Sequence, residues 1–308
     1  MSNLNLEIIS KYQIEKRNYW IEEISRLSGN FGVDADKIEQ EITEEIQQEG
    51  IHSLLGHLRL CGTIPEQYGH DTSEEKLYSK YTDVVIHEAF SALGFSSLVL
   101  KERADTADVE CVNDDYSFVA DAKAFRLSRT AKNQKDFKIQ AMDGWKYGKP
   151  YAMVVCPVYQ LPSRNSQIYQ QAIVRSVCIA TYSHLAVLAQ YAIESSQQNA
   201  MELLKNVFKS IEVMNPSKDA LSYWQVINRT ILDYDNRLSN IWNNEKKAVN
   251  ESIYLSRNEA IGFLSKKREQ IMRLSKEDAI KELLISSNIN NKIKIIESVM
   301  DNGLLSVK

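Results

Sequence analysis

The sequence has few prolines, which interrupt helices and strands, and few cysteines, which form disulfides or bind metals. Its 308 residues include 5 prolines and 4 cysteines. The cysteines lie far apart and lack the spacing of zinc ligands, so we expect them to be reduced core residues. No apolar run is long enough to span a membrane, and the polar N-terminal stretch does not resemble a signal peptide. These features predict a protein of the bacterial cytoplasm. The four cysteines are Cys61, Cys111, Cys156 and Cys178.

The chain also lacks an overall positive charge. Its formal net charge is −4, with 25% charged and 44% hydrophobic residues, an ordinary composition for one large domain or two smaller ones. The positive charge is local: residues 126–138 carry five basic side chains and one acid, Asp136. An acidic body with one basic patch can still attract a polyanion to a single surface.

Two short strands with a turn between them form the most informative pattern. Residues 107–112 and 118–125 have small apolar residues at alternate positions, and Asn113-Asp114-Asp115 favours a turn. If the loop is Asp114-Asp115, Asn113 pairs with Tyr116 and Asp108 lies opposite Asp121. The same register places on one face the small or apolar residues Ala107, Val109, Cys111, Phe118, Ala120 and Ala122.

The opposite face of this hairpin is predicted to carry the catalytic chemistry. Lys123 follows Asp121 by two residues and therefore points to the same side of the strand. Two opposed carboxylates repel each other unless a cation lies between them. We therefore predict that Asp108 and Asp121 are Mg²⁺ ligands and that Lys123 positions an attacking water. Glu110 and Asp105 are weaker ligand candidates, for which solvated carboxylates are the favoured interpretation.

The basic segment that follows combines side chains that bind phosphate with side chains that read bases. Arginine pairs with guanine, and asparagine or glutamine with adenine. A solvated basic loop is the alternative interpretation. The predicted DNA-contacting residues are Arg126, Ser128, Arg129, Lys132, Asn133, Gln134 and Lys135.

These residues carry a family resemblance. Asp108 followed by Asp121-x-Lys123 is similar to the PD-(D/E)xK nuclease pattern. The run from Val119 to Lys123, with its continuation from Phe125 to Lys138, closely resembles the core of the HindIII-type restriction endonucleases. Shorter stretches of similarity precede and follow the core, and about the first seventy residues have no recognisable similarity to the family. The shorter matches include Glu75-Lys76-Leu77, Lys80, Asp83 and His184-Leu185-Ala186.

The resemblance implies a type II restriction endonuclease that cuts double-stranded DNA. It implies Mg²⁺-dependent cleavage of AAGCTT after the first A, leaving 5′ overhangs, with Mn²⁺ as a possible substitute. A palindromic target implies a homodimer, and a restriction enzyme implies a cognate methyltransferase in the same system. Two alternatives stay open: a catalytically silent DNA-binding homologue, and a repair or recombination nuclease built on the same core.

Glu88 lies on a predicted helix, where many such nucleases have an extra carboxylate. The corresponding position in HindIII-type enzymes is not acidic, so we expect Glu88 to be a solvated helix-face glutamate. We expect His87 to be a surface or packing histidine.

The predicted fold class is α/β (α+β): a restriction-endonuclease-like mixed β-sheet core flanked by helices, with largely helical N- and C-terminal regions. The predicted regions are 1–72, a helical N-terminal region; 73–199, the catalytic core with the DNA-binding segment 126–138; and 200–308, a helical C-terminal region. Together they are predicted to form one compact unit. Besides the hairpin, the core is predicted to contain a helix from Ser73 to about Leu93, a strand near Ser96–Lys101, a helix around Lys135–Lys146, and strands at Tyr151–Pro157 and Val174–Thr181.

Overall fold

In the computed structural model, a mixed five-stranded sheet forms the core of the chain. The strands lie side by side in sequence order. The second strand runs antiparallel to both the first and the third, whereas the fourth and fifth run parallel to the third. The strands are β1 (Ser96–Val99), β2 (Val109–Val112), β3 (Ser117–Ala122), β4 (Tyr151–Cys156) and β5 (Val177–Thr181). The structure describes residues 6–101, 106–129, 134–287 and 289–297.

Helices make up most of the remaining described chain. They are α1 (Lys11–Ser25), α2 (Phe31–Glu49), α3 (Ile51–Leu60), α4 (Ser73–Ala92), α5 (Gln134–Phe137), α6 (Ile139–Trp145), α7 (Gln167–Val174), α8 (Tyr182–Glu194), α9 (Gln197–Glu212), α10 (Ala220–Leu232), α11 (Arg237–Met272), α12 (Lys276–Ser286) and α13 (Ile289–Glu297). A mixed sheet flanked by helices is the fold class that the sequence predicts, and the structure confirms it.

Local sequence explains where the site-bearing helix α4 begins and ends. The Thr72 hydroxyl accepts a hydrogen bond from the Glu75 N–H at 3.4 Å, which caps the first turn. Gly94 follows the helix with φ of 101°, in the left-handed region that favours glycine. The predicted helix bounds near Ser73 and Leu93 are thereby confirmed.

The core lies between this sheet and the helices packed on it. Every residue of β4 and β5 is buried. Phe90 of α4 meets Phe118 of β3 edge to face, with ring centroids 5.0 Å apart, and Phe208 of α9 stacks on Tyr151 of β4 at 4.6 Å. All four cysteines are free and buried, as predicted.

Two predicted elements of the core are wrong in part. The strand predicted from Val174 begins at Val177, and a helix that the sequence analysis did not predict, α7, precedes it. Val174 ends that helix, and Ser176 turns the chain with φ of 48°. The helix predicted around Lys135–Lys146 is divided in two, because Lys138 adopts φ of 45° and interrupts the regular turn.

The chain forms two compact units, residues 1–260 and 261–308. In the first unit, the N-terminal residues are tied to α11. The Glu251 carboxylate accepts backbone hydrogen bonds from Glu7, Ile8 and Ile9 at 2.7–3.2 Å.

None of the helices that the structure describes could cross a lipid bilayer. The division of the sequence at residues 72 and 199 stays a prediction.

Candidate active site

The hairpin of β2 and β3 brings Asp108 and Asp121 together. Val109 pairs with Ala120, and the Asn113 N–H donates to the Tyr116 oxygen at 3.1 Å across the turn. This is the predicted register, and its continuation places Asp108 against Asp121. The buried apolar face is confirmed as well.

The Asp108 carboxylate lies against the partner strand. Its Oδ2 accepts a hydrogen bond from the Ala122 N–H at 3.1 Å, and the Asp108 N–H donates to the Ala120 oxygen at 3.1 Å. Burial raises the pKa of Asp108 well above its usual value. The negative charges of Asp83 and Asp121 act in the same direction. The carboxylate of Asp121 therefore lies close enough to destabilise the charged form of Asp108.

Lys123 supplies positive charge to this cluster. Its ammonium forms an ion pair with Asp121, whose side chain is 1% exposed. Burial alone would lower the pKa of Lys123, but attraction to Asp121 and Asp108 outweighs it and holds the pKa above the usual value. The backbone is fixed on both sides: the Lys123 N–H donates to Val155 at 2.8 Å, and the Tyr182 hydroxyl donates to the Lys123 oxygen at 3.1 Å. Lys123 is therefore a rigidly placed, charged donor.

Helix α4 adds a third carboxylate and a second ammonium that the sequence analysis did not assign to the site. Asp83 is buried, and its Oδ2 lies 3.0 Å from the Lys80 Nζ. Burial is the main reason that the pKa of Asp83 is raised to about 6, and repulsion from Asp121 adds to it, although Lys80 opposes the change. The spacing of three residues between Lys80 and Asp83 was the available signal, because it places both on one side of a helix.

The weaker candidates lie apart from this cluster or outside the described residues. Glu110 pairs with Lys149 at 3.1 Å, and Asp105 lies outside the described residues. Glu88 is not solvated, contrary to expectation. It is buried and accepts a hydrogen bond from the Thr43 hydroxyl at 2.6 Å, because α2 packs on that side of α4. His87 is partly buried, with its Nδ1 2.9 Å from the Ser97 hydroxyl.

The first part of the predicted DNA-contacting segment is held by contacts within the chain. The backbone of Phe125 pairs with Gly62 and Ile64 at 3.1 and 3.2 Å, which fixes where the segment leaves the sheet. Arg126 then donates to the Gly69 oxygen at 2.7 Å and lies 3.3 Å from Glu75.

The next two predicted contacts are also paired. The backbone and hydroxyl of Ser128 donate to Glu66 at 3.0 and 2.8 Å, and Arg129 pairs with Asp136. Lys132 and Asn133 lie outside the described residues. Gln134 and Lys135 begin the short helix α5, and only their backbone is described.

The donor atoms of the cluster suit a hard divalent cation. Asp121 Oδ2 is buried and has no hydrogen-bond partner, although the Lys123 ammonium lies beside it. Carboxylate oxygens are hard ligands, and two carboxylates side by side suit a cation that prefers oxygen donors better than they suit zinc. The two hairpin carboxylates would hold the ion, and its remaining ligands would be water and phosphate oxygens.

A second acidic group on the surface is a poorer site. Within the described chain, His70, Asp71 and Glu75 place one potential ligand atom each within 4.8 Å of the others. Glu75 already accepts from the Asp71 N–H at 2.7 Å and pairs with Arg126, and two of the three residues are exposed. These contacts account for the group without an ion.

Comparison with known proteins places this arrangement in a family. The model of the HindIII restriction endonuclease family matches residues 17–300, which include the hairpin, α4 and the basic segment. The type II restriction enzyme HindIII of Haemophilus influenzae (strain ATCC 51907 / DSM 11121 / KW20 / Rd) is 32% identical over 256 residues, which are 80% of this chain and 83% of that protein. The chain therefore belongs to the HindIII restriction endonuclease family, whose members are type II site-specific deoxyribonucleases.

Proposed function

We propose that this protein hydrolyses double-stranded DNA in a Mg²⁺-dependent reaction at AAGCTT, cutting after the first A, with Asp108, Asp121 and Lys123 as its catalytic residues. The observation that carries the proposal is the pair of opposed carboxylates, Asp121 buried and Asp108 partly buried, with the Lys123 ammonium beside Asp121, in a chain of this family. Restriction endonucleases generally depend on a divalent metal ion, and Mn²⁺ should replace Mg²⁺ here.

Asp108 and Asp121 would hold the metal ion, which neutralises charge on the scissile phosphate and lowers the pKa of a bound water. The two carboxylates are preorganised for this role. Asp121 is fixed by strand β3, and Asp108 is fixed by the Ala122 N–H. The energetic cost of burying two like charges is offset when a cation binds between them.

Lys123 would hold the attacking water and the phosphate oxygens as a cation. Because its pKa is raised, the ammonium keeps its proton at neutral pH and can donate hydrogen bonds but cannot accept the proton of the water. Positive charge so close to the phosphate stabilises the additional negative charge of the transition state. In the reaction, the water oxygen attacks phosphorus, the bond from phosphorus to the leaving oxygen breaks, the proton of the attacking water passes to solvent, and the leaving oxygen takes up a proton from solvent.

The segment of residues 126–138 would contact the DNA. Arg129 and Arg126 are held in ion pairs with acids of the same chain, so a phosphate or a guanine would have to replace Asp136 or Glu75 as the partner. Such an exchange of partners is easier for Arg129, whose side chain is 45% exposed, than for Arg126, whose side chain is 15% exposed. The other proposed contacts are Ser128, Lys132, Asn133, Gln134 and Lys135.

A palindromic site requires two active sites related by a two-fold axis. We therefore propose a homodimer that cuts both strands, together with a methyltransferase that protects the host sequence. Residues 1–72 and 200–308 would be helical regions that precede and follow the catalytic region 73–199 in the sequence, and the enzyme would act in the cytoplasm.

The test is digestion of a plasmid of known sequence with purified protein in Mg²⁺, Mn²⁺, Ca²⁺ or EDTA. Fixed fragments that end at AAGCTT in Mg²⁺ or Mn²⁺, with binding but little cleavage in Ca²⁺, would support the proposal. Fixed fragments at another sequence would reject the target but keep the nuclease. Scattered cuts would favour a repair-type nuclease, and binding without cuts in any ion would favour the silent homologue. Full cleavage in EDTA would reject the metal role of the aspartates.

A further inference from the structure

Lys80 of helix α4 lies at the open side of the carboxylate cluster. Its side chain is 33% exposed, whereas those of Asp83 and Asp121 are 3% and 1% exposed. The side chain of Lys123 is 13% exposed. Helix α4 packs against β2 and β3, which brings the Lys80 ammonium to the hairpin. Of these four groups, Lys80 is therefore the most accessible to a ligand that enters from solvent.

The surrounding carboxylates keep Lys80 charged. Burial alone would lower the pKa of Lys80, but the negative charges of Asp83, Asp108 and Asp121 outweigh this effect and raise the pKa above its usual value. Both aspartates of the hairpin thus lie close enough to attract the ammonium. Lys80 is therefore a cation of the whole cluster and not of Asp83 alone.

The hydrogen bonding of Lys80 leaves donors for a ligand. An ammonium group has three donor hydrogens. Among the described residues, Asp83 accepts the hydrogen bond from Lys80, with its Oδ2 3.0 Å from the Nζ. Two donors are then available for oxygen atoms from outside the chain, while the contact with Asp83 fixes where the ammonium lies.

Helix α4 also connects the cluster to the segment that is proposed to contact DNA. Arg126 of that segment lies 3.3 Å from Glu75, which precedes Lys80 on the same helix. With a rise of 1.5 Å per residue, the positions of Glu75 and Lys80 are about 7.5 Å apart along the helix axis. A DNA backbone that binds both at Arg126 and at the hairpin aspartates would therefore pass Lys80.

The charges of the cluster explain why a second ammonium is useful. When ionised, the three carboxylates of Asp83, Asp108 and Asp121 and the two ammonium groups leave one net negative charge. One divalent cation and one phosphodiester, which carries a single negative charge, would bring the total to zero. Without Lys80, the same assembly would keep a negative charge, which opposes the further negative charge of the transition state.

We propose that Lys80 is a further substrate-binding residue, which keeps its contact with Asp83 and donates to a non-bridging oxygen of the DNA phosphate held at the hairpin aspartates. The contact would position the phosphate and stabilise the negative charge that its oxygens gain during cleavage. The inference rests on the proposed cleavage reaction. In the competing interpretation, Lys80 only neutralises the buried charge of Asp83.

A double variant with Asp83→Asn and Lys80→Gln separates the two roles, because it removes both charges and leaves the net charge unchanged. In Ca²⁺, it should bind the cleaved duplex at least about tenfold more weakly than the natural protein, with a salt slope lower by about one. In Mg²⁺, its single-turnover cleavage should be at least about tenfold slower than that of Asp83→Asn, in which Lys80 has no charge left to neutralise. Lys80→Arg should retain the natural salt slope.

Binding is measured by fluorescence anisotropy at several salt concentrations, and circular dichroism checks the fold of each variant. Asp83→Asn with Lys80→Ala replaces the double variant if that protein does not fold, and the same changes are expected. The matched control is the exposed pair of Lys11 and Glu15, which lie 3.4 Å apart on α1. Lys11→Gln with Glu15→Gln removes this pair in the same way and should leave the salt slope unchanged.

A natural salt slope in the double variant, or cleavage as fast as that of Asp83→Asn, would overturn the proposal and leave the proposed function intact. The opposite failure is also distinguishable. If the natural protein cuts no DNA, the proposed function is wrong, and the salt slope measured on a random duplex then decides whether Lys80 contacts phosphate.

Discussion

Removing the charge of Asp83 is expected to stabilise the metal-free protein. Burial, with a contribution from Asp121, raises the pKa of Asp83 from 3.8 to about 6. Between these two pH values the folded protein binds a proton that the unfolded chain has released. The free energy of unfolding therefore falls as pH rises from about 4 to about 6 and stays low above that. Each pKa unit corresponds to 1.36 kcal/mol, so the ionised carboxylate costs about 3 kcal/mol at pH 7–8.

Asp83→Asn removes the charge and retains the shape, so it should raise the free energy of unfolding at pH 8 by about 2–3 kcal/mol. For a chain of this size, that corresponds to an increase in Tm of about 3–5 °C. At pH 4 the two proteins should be nearly equal, because the natural carboxyl is then protonated. The measurement is thermal unfolding by circular dichroism in EDTA between pH 4 and 8.

The matched control is Asp114→Asn, which removes an exposed carboxylate from the turn of the hairpin. Its unfolding curve should follow that of the natural protein at every pH. If Asp83→Asn also ran parallel to the natural protein, or were less stable at pH 8, the burial of the Asp83 charge, with the repulsion from Asp121, would not be the source of the pH dependence.

Three further predictions concern other parts of the chain. Asp121→Ala should reduce cleavage at least about a hundredfold while DNA binding persists, since it would remove a proposed metal ligand and negative charge near the phosphate; near-normal turnover would reject the assignment. Lys135→Ala, if the side chain contacts phosphate, should lower the salt slope of DNA binding by about one, whereas Arg129→Ala, if it reads a base, should weaken the specific site by about 1–3 kcal/mol; titrations on specific and random duplexes separate the two. Glu251→Gln should lower stability by about 1–3 kcal/mol in thermal melts, because one acceptor oxygen of the three-amide contact is lost; an unchanged Tm would show that the N-terminal residues are held elsewhere.

The hairpin could be predicted from sequence because its register depends on local chemistry. Asn113 and the aspartates after it fix the turn, and a slip of one residue would expose Val109 and Ala120. The start and end of α4 were likewise marked by Thr72-Ser73 and Gly94, whose caps act within one turn.

The contribution of α4 to the site could not be predicted in the same way. Which face of a helix meets a sheet depends on packing between residues far apart in sequence, here Phe90 on Phe118. That packing turns Asp83 toward the hairpin and Glu88 toward Thr43. Sequence reasoning considered Glu88 for a metal role, although it lies on the side of the helix that is covered by α2. The negative charge alone does not show that Asp83 faces the hairpin and that Glu88 faces α2.

The hairpin that carries the two aspartates also constrains how the family can vary. Asp108 and Asp121 face each other across a ladder that ends at a turn, so residues can be added or removed at the tip without moving the site. Adding one residue to each strand lengthens the spacing between the aspartates by two and keeps them opposed. An odd insertion turns one of them to the apolar face unless a bulge absorbs it. Among functional relatives, an odd change in the spacing between these two carboxylates should therefore lie in the loop or be accompanied by a bulge, whereas an even change can lie in the paired strands.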